Sequence, residues 1–203
     1  MHKMIASRIT VLATLILALA LLPSSAHAGD GGGGKGAKDK CTDFPEKGTF
    51  ANKELEAVSR CWATINVAQG DQLGILQNFA KTCEDLNKQA RAQYGEGLMA
   101  QSASWIAQVK ASKEAQVAYW GRQKQKASEK TAEKIGDVIR GTQKVGHDAT
   151  AFPNLLEGVA RSLKGGSCAP VKSFANGEGG EALSRFFEAE QDLDKALKTL
   201  KGK

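Results

Sequence analysis

The sequence has little of what most catalytic and metal centres require. It holds only 3 histidines in 203 residues, and His147 alone lies beyond the first 28. A Ser–His–Asp or Cys–His site needs such a base beside its nucleophile. No Cys-x-x-Cys or Glu-x-x-His pattern occurs, and these are the spacings of zinc, haem and di-iron sites. We therefore predict a protein that is not an enzyme and has no metal and no cofactor.

Acidic residues leave one enzymatic alternative open. A glycosidase works with two carboxylates roughly 5–10 Å apart in space, and that proximity leaves no trace in a sequence. Nothing in the pattern marks Glu157, Glu178 or Glu181 as a catalytic acid. A carboxylate-based cell-wall hydrolase is kept as an alternative.

Long apolar runs are also scarce, and the clearest one lies at the N terminus. Lys3 and Arg8 precede the run Ile9 to Leu22, and Ala26-His27-Ala28 follows it. The run is shorter than the roughly 20 residues that span a bilayer. This order predicts a Sec-type secretory signal peptide over residues 1–28, cleaved after Ala28. We expect the mature chain in the periplasm or the medium, without a transmembrane segment.

The mature chain is of ordinary single-domain size and mildly basic. The predicted leader holds two of the 28 Lys and Arg residues and none of the 22 Asp and Glu residues, so the mature net charge is +4. This charge suits an anionic surface or an acidic partner protein. A nucleic acid is not expected, because no basic motif interleaved with aromatic residues is present.

Glycine and lysine dominate the start of the mature chain. Residues 29–40 read GDGGGGKGAKDK, which cannot bury apolar surface. We predict a flexible arm over residues 29–48 and a single helical domain over residues 49–203.

Apolar residues at steps of three and four predict helices through that domain, and no segment alternates as a strand would. The first helix begins near Asn52, and the last runs from about Gly180 to Leu200. The predicted fold is an all-α, disulfide-containing bundle of five or six helices. Residues 98–145 fit either one long helix with a solvated middle, slightly favoured, or two helices.

Gly70-Asp71 resembles a helix stop followed by a helix cap, which predicts a tight antiparallel hairpin. Cys61 lies nine residues before Gly70 and Cys83 lies thirteen after it. The mismatch of four residues is an axial offset of about 6 Å, which a bridge can accommodate.

The four cysteines all lie in the mature part: Cys41, Cys61, Cys83 and Cys168. An even number in an exported chain predicts two disulfides. The hairpin favours Cys61–Cys83, which leaves Cys41–Cys168 as the second bridge.

A candidate partner surface follows from two neighbouring features. Tyr119 and Trp120 are adjacent on a helix and point about 100° apart, so one of them should be less buried. An exposed basic run comes directly after them: Arg122, Lys124, Lys126 and Lys130.

The leading functional hypothesis is an exported, non-enzymatic interaction protein. It would serve as an accessory, chaperone or inhibitor subunit of another exported protein, which the basic run suggests is acidic. A minor structural component of a secretion or conjugation apparatus is the second hypothesis, and the cell-wall hydrolase is the third. The sequence leaves the partner and the oligomeric state open.

Overall fold

The computed structural model describes residues 41–202, most of which are helical. The predicted signal peptide and residues 29–40 lie outside this range. No strand occurs between residues 41 and 202, so the all-α prediction is confirmed. The α-helices are α1 (Asn52–Thr82), α2 (Lys88–Lys126), α3 (Glu129–Asp148), α4 (Ala151–Lys164), α5 (Ala169–Ser173) and α6 (Gly179–Lys201).

These helices make four long helical segments rather than five or six separate rods. Only Ala149 and Thr150 separate α3 from α4, and both keep right-handed helical backbone angles. A π-helical turn, Phe174–Glu178, joins α5 directly to α6. The prediction of five or six helices took breaks in the apolar sequence pattern as helix ends. The helical backbone continues through some of these breaks.

The four segments run alternately up and down. Asn66 of α1 meets Glu190 of α6, whereas Leu73 further along α1 lies against Gly179 at the start of α6. In the same way, Gly95 near the start of α2 lies against Ala160 of α4, whereas Lys113 further along α2 lies against Gly146 of α3. The bundle therefore has antiparallel neighbours throughout, as expected for segments joined by short loops.

Helix α1 continues through Gly70, so the predicted break and hairpin at Gly70-Asp71 are wrong. A buried stripe follows steps of three and four without interruption along it and on to Cys83 just after its end: Leu55, Val58, Trp62, Ile65, Gln69, Gln72, Leu76, Phe79 and Cys83. This is the period of bundle packing. Nothing lies within 4 Å of the position of an added Cβ at Gly70, and its φ is not positive. Gly70 is thus an ordinary helical residue.

Helix α2 follows the same period, but small and polar residues occupy half of its buried positions. The buried positions of α2 are Gly95, Leu98, Ser102, Trp105, Val109, Ser112, Gln116, Tyr119, Trp120 and Gln123. Ala127 and Ser128 have extended backbone angles and end the helix before α3. The stretch 98–145 therefore forms two helices, and the slightly favoured single helix is wrong.

The disulfides join Cys41 to Cys61 and Cys83 to Cys168, with Cα–Cα distances of 5.4 Å and 6.0 Å. The favoured pairing of Cys61 with Cys83 and of Cys41 with Cys168 is wrong. Because α1 is continuous, Cys61 and Cys83 are 22 helical steps apart, which sets them about 33 Å from each other. Cys83 instead ties the end of α1 to the start of α5.

Residues 41–50, here called the cap segment, pack on the bundle. Cys41 is bonded to α1, and the Phe44 and Phe50 rings lie 5.1 Å and 5.5 Å from Tyr119 and Trp120 between centroids. Gln123 Nε2 donates to the Gly48 carbonyl oxygen at 3.3 Å. The predicted arm over residues 29–48 is therefore anchored from Cys41 onward.

Replacing Gly70 by alanine tests the continuous helix. Gly70→Ala should raise the free energy of unfolding by about 0.5–1 kcal/mol, because alanine is the better residue in a helix interior. Gly95→Ala is the contrasting control, since its Cβ would lie 2.6 Å from the Ala160 carbonyl oxygen. It should destabilise by about 1–3 kcal/mol. Chemical denaturation measures both variants. If Gly70→Ala were less stable than the parent, the result would contradict a continuous helix and support a turn at Gly70.

Removing the Cys41–Cys61 bridge should release the cap segment. The chain-entropy model gives a loss of about 3 kcal/mol for a loop of this length. The C41S/C61S variant should also show stronger acrylamide quenching of tryptophan fluorescence, because Trp120 loses its cover.

The C83S/C168S variant is the matched control for that experiment. It removes the other bridge and lowers the free energy of unfolding, but it leaves the cap segment attached. Equal quenching in both double variants under native conditions would contradict the assigned role of Cys41–Cys61.

Candidate functional site

A groove of about 300 Å³ lies between α1 and α6. Its lining comes from Ser59, Trp62, Ala63, Asn66 and Val67 of α1 and from Phe187, Glu190, Gln191, Leu193 and Asp194 of α6.

Two large apolar side chains on opposite sides of this groove are exposed to solvent. Val67 of α1 is 63% exposed and Phe187 of α6 is 56% exposed. Ile75, two turns after Val67 on α1, is 47% exposed. Exposed large apolar side chains that line one groove, as Val67 and Phe187 do, mark contact sites more often than isolated ones do.

Phe187 is exposed because its neighbour occupies the core. Phe186 is fully buried, and its ring lies 6.4 Å from that of Trp62. The next residue on a helix points about 100° away, which turns Phe187 outward. Phe187 was not among the residues predicted for a partner surface.

Glu190 provides the unusual electrostatic feature of the groove. Its Oε2 accepts a hydrogen bond from Asn66 Nδ2 at 2.5 Å. Burial raises the pKa of Glu190 above the usual range, and the bond from Asn66 offsets this in part. Among residues 41–202, no cationic side chain forms an ion pair with it. The groove therefore holds a half-buried carboxyl group without a counter-charge.

Asp194, one helical turn after Glu190, already has partners within the chain. It accepts from Ser59 Oγ at 3.4 Å and forms an ion pair with Lys198. The two carboxylates of the groove therefore differ in what they can still bind.

The predicted aromatic contact is wrong, because Tyr119 and Trp120 are both 0% exposed. The rings of the cap segment cover them. Burial, assisted by the nearby Glu54 carboxylate, raises the pKa of Tyr119 to about 12. The expectation that one of two adjacent aromatics would be exposed failed here because a second element packs over the outward-facing ring.

The basic run lies at the surface near the end of α2. Lys124, Lys126 and Lys130 are exposed and Arg122 is half-buried. Lys124 extends over Gly136 of α3, where its Nζ lies 3.5 Å from the position of an added Cβ. The basic run is thus at the surface while the aromatic pair beside it is buried, so the two do not form one exposed surface. The role of the basic run in binding stays a prediction.

The other candidate acids lie away from this groove. Glu157 pairs with Arg161 on α4, and Glu178 accepts from Ser173 Oγ at 2.9 Å. Glu178 also borders a second cavity of about 580 Å³ between α4 and α5. His147 is exposed and lies 3.1 Å from the Asp148 carboxylate, as expected for a surface histidine near a helix end.

Between residues 41 and 202, no group of three or more His, Cys, Asp or Glu side chains is arranged to hold a metal ion. Within the same residues, no helix combines the length and apolar character needed to cross a membrane.

Comparison with family models, curated proteins and solved structures finds no match to this chain. The geometry of its own residues therefore carries the functional argument.

Replacing Glu190 by glutamine should change how stability depends on pH. The folded state holds the Glu190 proton more tightly than the unfolded chain, whose ordinary pKa is 4.5. The free energy of unfolding of the parent therefore falls as pH rises from the unfolded-chain pKa through the raised pKa of the folded protein. The difference in free energy of unfolding between Glu190→Gln and the parent should grow over this pH range and stay constant above it.

Glu188→Gln removes the same charge from an exposed site on the same helix and is the control. Urea denaturation between pH 3.5 and pH 8 measures the difference for each variant. If the Glu190→Gln difference did not vary with pH, burial would not govern this carboxyl group.

Proposed function

We propose that this chain is an exported, non-enzymatic protein that binds another exported protein through the groove between α1 and α6. It would act as an accessory, chaperone or inhibitor subunit of that partner. One observation carries the proposal: Phe187 and Val67 are each more than half exposed on the two sides of one groove. Aromatic anchors of this kind supply much of the binding energy at protein interfaces.

Export is supported by two independent features. The N-terminal sequence has the order of a cleavable signal peptide, and all four cysteines form disulfides. Disulfides form and persist in oxidising compartments. We propose the periplasm or the medium as the place of action.

A second candidate function is the carboxylate-based hydrolysis of cell-wall glycans, and the groove itself favours it. Glu190 has a raised pKa, as a general acid requires, and Asp194 follows one turn later. The exposed ring of Phe187 could pack against a sugar. The ion pair of Asp194 with Lys198 weakens this candidate. If the purified parent degrades peptidoglycan and Glu190→Gln does not, hydrolysis replaces binding as the function.

Photo-cross-linking from the groove tests the leading proposal. With p-benzoyl-phenylalanine at Val67, ultraviolet light should link the protein to one exported partner in the cells that produce it. The same residue at Ala103, which is exposed on α2, should not. Adding Phe187→Ala should nearly abolish the cross-link, because losing a hot-spot anchor of about 2 kcal/mol weakens binding about 30-fold.

The triple variant K124A/K126A/K130A separates the two surfaces in the same assay. It should leave the Val67 cross-link intact if the groove is the contact. Loss of the cross-link in this variant but not in Phe187→Ala would transfer the function to the basic run. A product found only in the pilus or membrane fraction would favour a structural component of a secretion apparatus.

A further inference from the structure

We infer that the partner segment in the α1–α6 groove carries a lysine or arginine directly beside an apolar side chain, and that this cation pairs with Glu190. The inference rests on the proposed function and specifies the chemistry of the partner.

The argument starts from the hydrogen bonds that Glu190 already makes. Asn66 occupies Oε2, and no donor within residues 41–202 reaches Oε1. The group lies beside Trp62 and Phe187 at the groove, so part of its hydration is already lost. A carboxylate in such a place gains more from a cation than one in free solvent, because the pair is less screened.

The other carboxylates of α6 near the groove already have cationic partners, which leaves Glu190 as the group that a partner's cation would pair with. Asp194 is held by Lys198 and Ser59, whereas Asp192, on another side of α6, is held by Lys144 and Lys195. A cation that enters the groove from a partner therefore finds one carboxylate without a counter-charge. A planar guanidinium fits best, since its forked donors can engage a carboxylate through two bonds.

The apolar requirement comes from the residues on both sides of Glu190. Phe187 precedes it by one turn on α6, and Val67 stands across the groove on α1. A partner residue that contacts both must be apolar, and the cation must lie next to it to reach Glu190. The carboxylates of the groove would repel an anionic lipid surface, which disfavours a membrane as the occupant.

Selection from a library of random 12-residue peptides on phage tests the inference. Against the parent protein, selected peptides should be enriched in Lys or Arg adjacent to Leu, Ile, Phe or Trp. A selected peptide should bind about tenfold more weakly once its basic residue is changed to glutamine. Against Glu190→Lys the preference should change to acidic residues, while Glu188→Lys, the matched control, should retain the basic preference.

The remaining outcomes distinguish this inference from the proposed function. A purely apolar consensus, or one consensus for both the parent and Glu190→Lys, overturns the inference. If those peptides still lose binding in Phe187→Ala, the groove remains a binding site. Selection of no peptide also counts against the inference. So does a dimer, seen by light scattering, that Phe187→Ala dissociates and Glu190→Gln leaves unchanged, because a second copy of the chain would then fill the groove.

Discussion

The unbroken packing of α1 along the bundle is the constraint on which the other features depend. Every third or fourth residue from Leu55 to Cys83 is buried. Because α1 is unbroken, Cys61 and Cys83 lie far apart, and each has a different partner. The same helix supplies one wall of the groove, because Asn66 and Val67 lie on the side of α1 that meets α6.

The sequence was sufficient for the fold class but not for the helix boundaries. The all-α fold follows from apolar spacing, which is a local property. The false break arose because Gly70-Asp71 resembles a helix stop followed by a cap, and the buried positions on either side, Gln69 and Gln72, are polar and gave no apolar signal against it. Gln69 pairs far along the chain: its Nε2 donates to the Ala149 carbonyl oxygen, between α3 and α4, at 3.0 Å. Such pairing makes a buried glutamine tolerable, and a single sequence does not reveal it.

The candidate site illustrates the same limit. The reasoning that adjacent aromatics face different ways applies to Phe186 and Phe187, where one ring is buried and the other exposed. It failed at Tyr119 and Trp120 because the cap segment packs over them, about 70 residues away in sequence. The repeat along α6 could have identified Phe187, since Ala182, Phe186, Ala189 and Leu193 already fill the inward positions. The lone carboxylate of Glu190 depends on tertiary contacts and had no local signal.

Peptide mapping of the unreduced protein tests the continuous α1 helix most directly. The arrangement described here predicts disulfide-linked fragments that join Cys41 to Cys61 and Cys83 to Cys168. A fragment that joins Cys61 to Cys83 would contradict it, because that bridge requires α1 to fold back on itself near Gly70.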